Sequence, residues 1–281
     1  IDGSMILFPA DGQHRVGSIK EILDPRSPNF NPDVTNISLP VILIPFVSRG
    51  QVRQFFADLN QNAKTVNRSL GISFTTRDPV ARLVKSLETS VPLFMGNINH
   101  FATSLSKRSP QVITINTAYE CTNVLMSGLG VKGDDLWDLP DDDPEFKGVS
   151  KRITEIWRLL SDPLPGWPDY LEDIKSAGEI REEYVHAHAV GWRGIALAVS
   201  VIIENIGDGW DHNYRDLVRL IDWTRTNSDW QSVCMVGDRM NNTSTFVRTM
   251  AGYLLSKADI AGGRAEDLIK NYEDVKRRSS Q

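Results

Sequence analysis

Between Gly178 and Ile206 the sequence keeps helical spacing, and from Ala187 to Ile203 it is apolar nearly all round. A helix without a polar face has to be buried, so this stretch predicts one long helix, largely enclosed, in a helical region. Helical periodicity also marks Val149 to Leu160, Tyr214 to Trp223 and Thr245 to Leu255. The longest apolar run, Ile195 to Ile203, is well short of the roughly 20 residues of a membrane span, so the expected surroundings are protein. A chain of 281 residues, 41% hydrophobic and 24% charged, suits one large or two ordinary globular domains.

The N-terminal part reads differently. Met5 to Ala10 is a short strand-like run, and Val16 to Leu23 has helical spacing. Leu39 to Val47 is a second, β-branched strand, and Arg49 to Asn60 a second helix. Alternating strand and helix predicts an α/β layer. A strand that starts so close to Ile1 lacks partners, so an upstream part of the layer is expected. Gln61 to Phe74 reads as polar and then strand-like. Asp78-Pro79 opens a helix whose core face is Val80, Leu83, Val84 and Leu87, and Ile113 to Met126 is helical. From Asp134 to Glu145 there are acidic residues and prolines but no basic residue, which reads as an exposed linker. The predicted fold class is α+β: an α/β domain at 1–130, an acidic linker at 131–147, a helical domain at 148–260 and a charged, fraying tail at 261–281.

The segment Asp11-Gly12-Gln13-His14-Arg15 joins the first strand to the first helix. A helix N-terminus presents unpaired N–H groups and partial positive charge, which attract phosphate. Gly12 lets a ligand approach the backbone. Arg15 can grip phosphate oxygens as a fork, and His14 is a general acid or base candidate. Asp11 can hold a divalent metal or orient a water or Arg15. The catalytic candidates are therefore Asp11, His14 and Arg15. The phosphate-binding candidates are Gly12, Gln13 and Arg15, with Arg77 expected to reach the same pocket. The plainer alternative makes Asp11 a helix cap and Arg15 a surface ion-pair partner.

Residues 48–110 carry nine basic side chains against Asp58, Asp78 and Glu88, interleaved with asparagines and serines. That mixture suits a nucleic-acid backbone, and Lys64, Arg68, Lys107 and Arg108 are the predicted DNA contacts. The net charge of −5 argues against a uniformly basic coat, not against a local one. His186 and His188 would diverge by about 200° on a helix, so they are read as buried, hydrogen-bonded core groups rather than a metal pair. Two cysteines, Cys121 and Cys234, are too few for a disulfide scaffold or a zinc site and suit a reducing cytoplasm. No G-x-x-x-x-G-K-[ST] loop and no helix-turn-helix is evident.

The run F-P-A-D-G-Q-H-R-V-G-S-I-K resembles the signature of the DGQHR-domain, DndB-type family of DNA phosphorothioation systems. Further blocks resemble it in order: Leu59 to Ile72, the K-R-S-P at 107–110, Glu179 to His188 and Ile221 to Asn227. The family's last block usually runs on to a Gly-Arg pair, where this chain has Gly237-Asp238-Arg239. The resemblance implies a ParB/sulfiredoxin-like N-terminal region. It also implies a DNA-binding protein acting with other phosphorothioation proteins, with a pocket that binds and hydrolyses a nucleoside triphosphate such as ATP with Mg²⁺, or nicks DNA. The alternative it implies is a non-catalytic repressor of the modification operon. A homo-oligomer and an assembly scaffold are further possibilities.

Overall fold

The computed structural model describes residues 13–36, 38, 41, 48 and 68–279. The strand expected at Met5–Ala10 and the helix expected at Arg49–Asn60 lie outside the described residues, as does Leu39–Val47 apart from Val41. The chain divides into two compact units, 1–65 and 66–281. In the first, helix α1 spans Gln13–Leu23 and a 3-10 turn follows at Pro32–Asn36.

The second unit is helical, with four two-residue strands among its described residues. Its elements are α2 (Arg68–Phe74), α3 (Pro79–Ser90), β1 (Ile98–Asn99), β2 (Ile113–Thr114), α4 (Ile115–Gly128), α5 (Pro144–Ser161) and α6 (Trp167–Leu171). They continue with α7 (Ala177–Glu183), α8 (Ala189–Ile206), α9 (Trp210–Leu220), β3 (Met235–Val236), β4 (Arg239–Met240), α10 (Ser244–Lys257) and α11 (Arg264–Ser279). β1 and β2 pair in parallel, with Ile98 opposite Ile113, while β3 and β4 form an antiparallel hairpin. The result is mainly helical within an α+β composition.

Local chemistry starts four of these helices. Asp78 accepts from the Ala81 N–H at 3.1 Å with Pro79 in the first turn of α3, and Asp143 caps α5 just ahead of Pro144. Thr114 leaves its strand and caps α4. Ser176 and Glu179 form a reciprocal capping box on α7. Each device satisfies an N–H that the helix itself leaves unpaired.

α8 is the core helix. It is 18 residues long with a mean hydropathy of 1.4, long and apolar enough to cross a membrane, but 67% of it is buried inside the protein. α4 packs on one side and α10 on another, and α11 packs against α10. Gly128 permits the α4 contact, because a Cβ there would lie 2.7 Å from the Ser200 carbonyl oxygen. Beside α8 the rings of Phe94, Trp157, Trp167 and Trp192 form one cluster, with centroids 5.1–6.0 Å apart.

Four expectations need correction. The helix expected over 178–206 is broken: α7 stops at Glu183, and Tyr184 turns into extended backbone bridged to Thr224. The Val185 N–H donates to the Trp223 carbonyl and the Arg225 N–H to that of Glu183, so these groups are satisfied across the chain rather than along a helix. The strand-like stretch ending at Phe74 is helix α2, whose Ser69 and Ile72 face inward. The acidic segment at 131–147 is largely exposed, as expected, but it is anchored to the body rather than a free linker: Leu136 is fully buried and Asp141 pairs with Arg82. The tail is not frayed, since Ala265 and Leu268 of α11 are buried against the body.

Candidate nucleic-acid interface

α1 begins at Gln13, immediately after Asp11-Gly12. Gln13, His14 and Arg15 therefore form the first turn of a helix. Asp11 and Gly12 lie outside the described residues, as does Lys64, and of the Gln13, His14 and Arg15 side chains only their place in the sequence of the helix is described. The first turn of α1 has no acidic residue, and Lys20 lies in its last turn. An anion at the N-terminus meets no carboxylate from that turn. Arg77 belongs to the second unit, where it is exposed just ahead of the α3 cap.

Arg68 sits at the start of α2 and is 62% exposed. Its Nη1 donates to Glu120 Oε1 at 2.9 Å, and the other carboxylate oxygen of Glu120 takes Arg193 Nε at 2.9 Å. One carboxylate thus serves two guanidinium groups, leaving one positive charge over. Arg68 also lies 5.8 Å above the Tyr119 ring, a cation–π distance. The Tyr119 hydroxyl donates to Asp78 Oδ2 at 2.8 Å. Burial first, and then Asp78 as acceptor and charge, push the Tyr119 pKa up to about 12, so it stays a donor. Asp78 caps α3 with its other oxygen. Arg68 and the backbone next to Arg77 are therefore linked by one chain of contacts through Tyr119 and Asp78. Charge counting identifies Arg68. It misses Glu120 and Arg193, which pair across long sequence separations.

Lys107 and Arg108 are both exposed, on the loop between β1 and β2. Lys107 is 77% exposed, and its one ion pair, to Glu182, is a loose 3.9 Å. The loop itself is held tightly. Arg181, only 3% exposed, donates through Nη1 to the Gln111 carbonyl at 2.7 Å and through Nη2 to the Ser109 carbonyl. Its planar fork fits two carbonyls as a lysine could not. Gly178 on the same helix lets the Lys107 carbonyl approach, since a Cβ would meet that oxygen at 2.6 Å. The pair of cations is thus presented on a loop fixed from below by α7. Arg181 was legible only as part of the Glu179–His188 block. The further signal is its position, one face with Ala177 and Ile180, where a core residue belongs.

The two histidines of that block are not on a helix. They lie in the segment between α7 and α8. His186 Nε2 is 2.9 Å from the Pro165 carbonyl and His188 Nε2 is 2.7 Å from that of Arg181. A carbonyl only accepts, so Nε2 carries the proton in both rings. Burial pushes the His186 pKa down to about 3 and, with nearby Arg225, Arg181 and Lys107, that of His188 to about 4. His186 is buried and His188 partly buried, both are hydrogen-bonded, and among the described residues no cluster of His, Cys, Asp and Glu could hold a metal ion. Burial also pushes the Cys121 and Cys234 thiols up, away from reactive thiolate. Arg239 is exposed on the β3–β4 hairpin.

A search of curated proteins and a search of solved structures each found no match. A family model described as DndB, DNA-sulfur modification-associated, matches residues 1–261. That span contains the Asp11–Arg15 segment, the paired arginines and the pinned basic loop, and the chain belongs to this DndB family, which is associated with DNA sulfur modification.

Proposed function

We propose that this protein is a DNA-binding component of a phosphorothioation system, acting in the cytoplasm with the other proteins of that system. The observation that carries DNA contact is the Lys107-Arg108 loop, with two exposed cations held on an immobilised backbone. Such a pair can meet phosphates without first being ordered, which lowers the entropic cost of binding. Arg68 is a further candidate DNA contact in this unit, and Lys64 is one in the N-terminal unit.

The same proposal gives the N-terminal unit a ParB/sulfiredoxin-like fold whose Asp11–Arg15 turn binds nucleoside triphosphate. The start of α1 at Gln13, with no carboxylate in its first turn, suits a phosphate group. Gly12, Gln13 and Arg15 would hold the phosphates, and Asp11 would hold Mg²⁺. A bound triphosphate supplies a hydrolysable anhydride. His14 would move the proton, in ATP hydrolysis or in DNA nicking.

The test is a DNA-binding titration with and without Mg-ATP, run beside hydrolysis and nicking assays on wild type, Asp11→Ala and His14→Ala. Salt-dependent DNA binding together with hydrolysis lost in both variants is the expected outcome. Unchanged hydrolysis and nicking in both variants would remove the catalytic role. Tight, nucleotide-independent preference for the operon promoter in footprinting would then make the protein a repressor. No DNA binding by wild type at low salt refutes the proposal as a whole.

A further inference from the structure

A groove of about 820 Å³ runs between α3 and α5, apart from Arg68, Lys107 and Arg108. Its α5 wall presents Lys147, Ser150, Lys151, Thr154 and Arg158. These fall at i, i+3, i+4, i+7 and i+11 of one helix, so they form a single stripe. At 1.5 Å per residue the stripe is about 16 Å long, with the two lysines about 6 Å apart along the axis.

The groove's cations divide into two kinds. Arg82 and Arg158 build the walls. Arg82 lies 4.0 Å over the Phe146 ring and donates to Asp141 at 2.7 Å, which holds the acidic segment to α3. Arg158 donates through both Nε and Nη2 to the Ser90 carbonyl at the end of α3. Lys147 and Lys151, in contrast, make no ion pair or side-chain hydrogen bond, and the Ser150 and Thr154 hydroxyls between them are equally unused. Four free donors therefore stand in line along two turns of α5. The carboxylates sharing the groove are Asp141, neutralised by Arg82, and Glu155.

We infer that this groove is a second contact for a DNA phosphodiester backbone, with Lys147 and Lys151 neutralising phosphates and Ser150 and Thr154 donating to them. The inference rests on the reading that the protein binds DNA. Lysine and hydroxyl each recur after four residues, about 6 Å along the helix, which matches a ligand whose charges repeat along a line. The stripe offers no free amide and no free aromatic face, since Phe146 is covered by Arg82. Its ammoniums and hydroxyls are therefore assigned to the phosphodiester backbone, where most protein–DNA hydrogen bonds fall, rather than to base edges. Its contribution is independent of DNA sequence.

The experiment measures anisotropy of a fluorescein-labelled duplex across salt concentration. It compares wild type, Lys147→Gln/Lys151→Gln, Glu155→Gln and Lys107→Gln/Arg108→Gln. Each lost phosphate contact lowers the slope of log K against log salt by about 0.9. The Lys147/Lys151 pair should thus flatten the slope by about 1.8 and lose roughly tenfold less affinity than wild type between about 50 and 200 mM salt. Its affinity at low salt should fall equally for promoter and random duplexes, and Glu155→Gln should tighten binding. The substituted side chains are exposed, so an unchanged melting temperature confirms that folding is intact. If Lys107→Gln/Arg108→Gln weakens binding while Lys147→Gln/Lys151→Gln keeps the wild-type slope and affinity, the groove is not a DNA contact although the protein is a DNA binder. If wild type binds no duplex, both readings fall.

Discussion

Acidification from pH 7.5 to pH 5 should weaken the second unit by about 4 kcal/mol, through His186 and His188. Both rings are held neutral by burial, with pKa values of about 3 and about 4 against an ordinary 6.5. In the unfolded chain each takes up a proton near pH 6.5, whereas in the folded protein neither does until far lower. For a base whose folded pKa is depressed, stability is fully present above the unfolded value and is lost as pH falls through 6.5 towards the folded one. At pH 5 the unfolded rings are 1.5 pH units below their midpoint, so each favours unfolding by about 2 kcal/mol at 1.36 kcal/mol per unit. This result depends only on the folded values lying well below 5. The total is a large share of the roughly 5–15 kcal/mol that holds a typical domain. Glu179 and Glu183, lowered by the Ser176 donors and by Lys175 respectively, lose their contribution only below their ordinary 4.5, outside this window. All seven tryptophans lie in residues 66–281, so urea unfolding followed by indole fluorescence reports this unit. The stability should fall by about 2.7 kcal/mol per pH unit below pH 6, for two protons. His188→Gln, whose amide can still donate to Arg181, should halve that slope. A stability constant within about 1 kcal/mol between pH 7.5 and 5, or a slope that His188→Gln leaves untouched, refutes the reasoning.

Three further outcomes follow from packing. Trp157 is fully buried and its indole N–H donates to Thr122 Oγ1 at 3.0 Å; Thr122→Val keeps the shape but orphans the donor and should cost about 1–3 kcal/mol in urea unfolding. Gly252→Ala would place a Cβ 2.0 Å from the Leu268 carbonyl oxygen, a backbone atom that cannot swing aside. α11 should lift off α10, seen as faster amide exchange across 264–279. Arg181→Lys cannot reach both the Ser109 and Gln111 carbonyls, so the loop should loosen and trypsin should cut after Lys107 and Arg108 faster than in wild type. Unchanged cleavage would show that the loop is held by other contacts.

Where local chemistry decides, the sequence is readable here. Asp78-Pro79 and its inward Val80, Leu83, Val84 and Leu87 give α3 as read, and all four are buried. Two of the failures share a cause, which is backbone or charge satisfied by residues far away in sequence. Nothing between Gly178 and Ile206 announces a break, because the apolar periodicity continues through it. The break exists because Glu183 and Val185 find partners in 223–225. α11 has Ala265, Leu268, Ile269 and Tyr272 at helical spacing, a core face concealed by the charges around it. The acidic segment looked unattached because its counter-charge, Arg82, lies 59 residues before Asp141. The candidate interface behaves the same way. Counting charge finds Arg68, Lys107 and Arg108, yet their usefulness is set by Glu120, Arg193 and Arg181, which no spacing rule connects to them. An exposed cation contributes to binding according to how its backbone is held and how much of its charge is already shared. By that measure Lys107 and Arg108, pinned by a buried guanidinium and only loosely paired, should lose more DNA affinity on substitution than Arg68, whose charge Glu120 already halves.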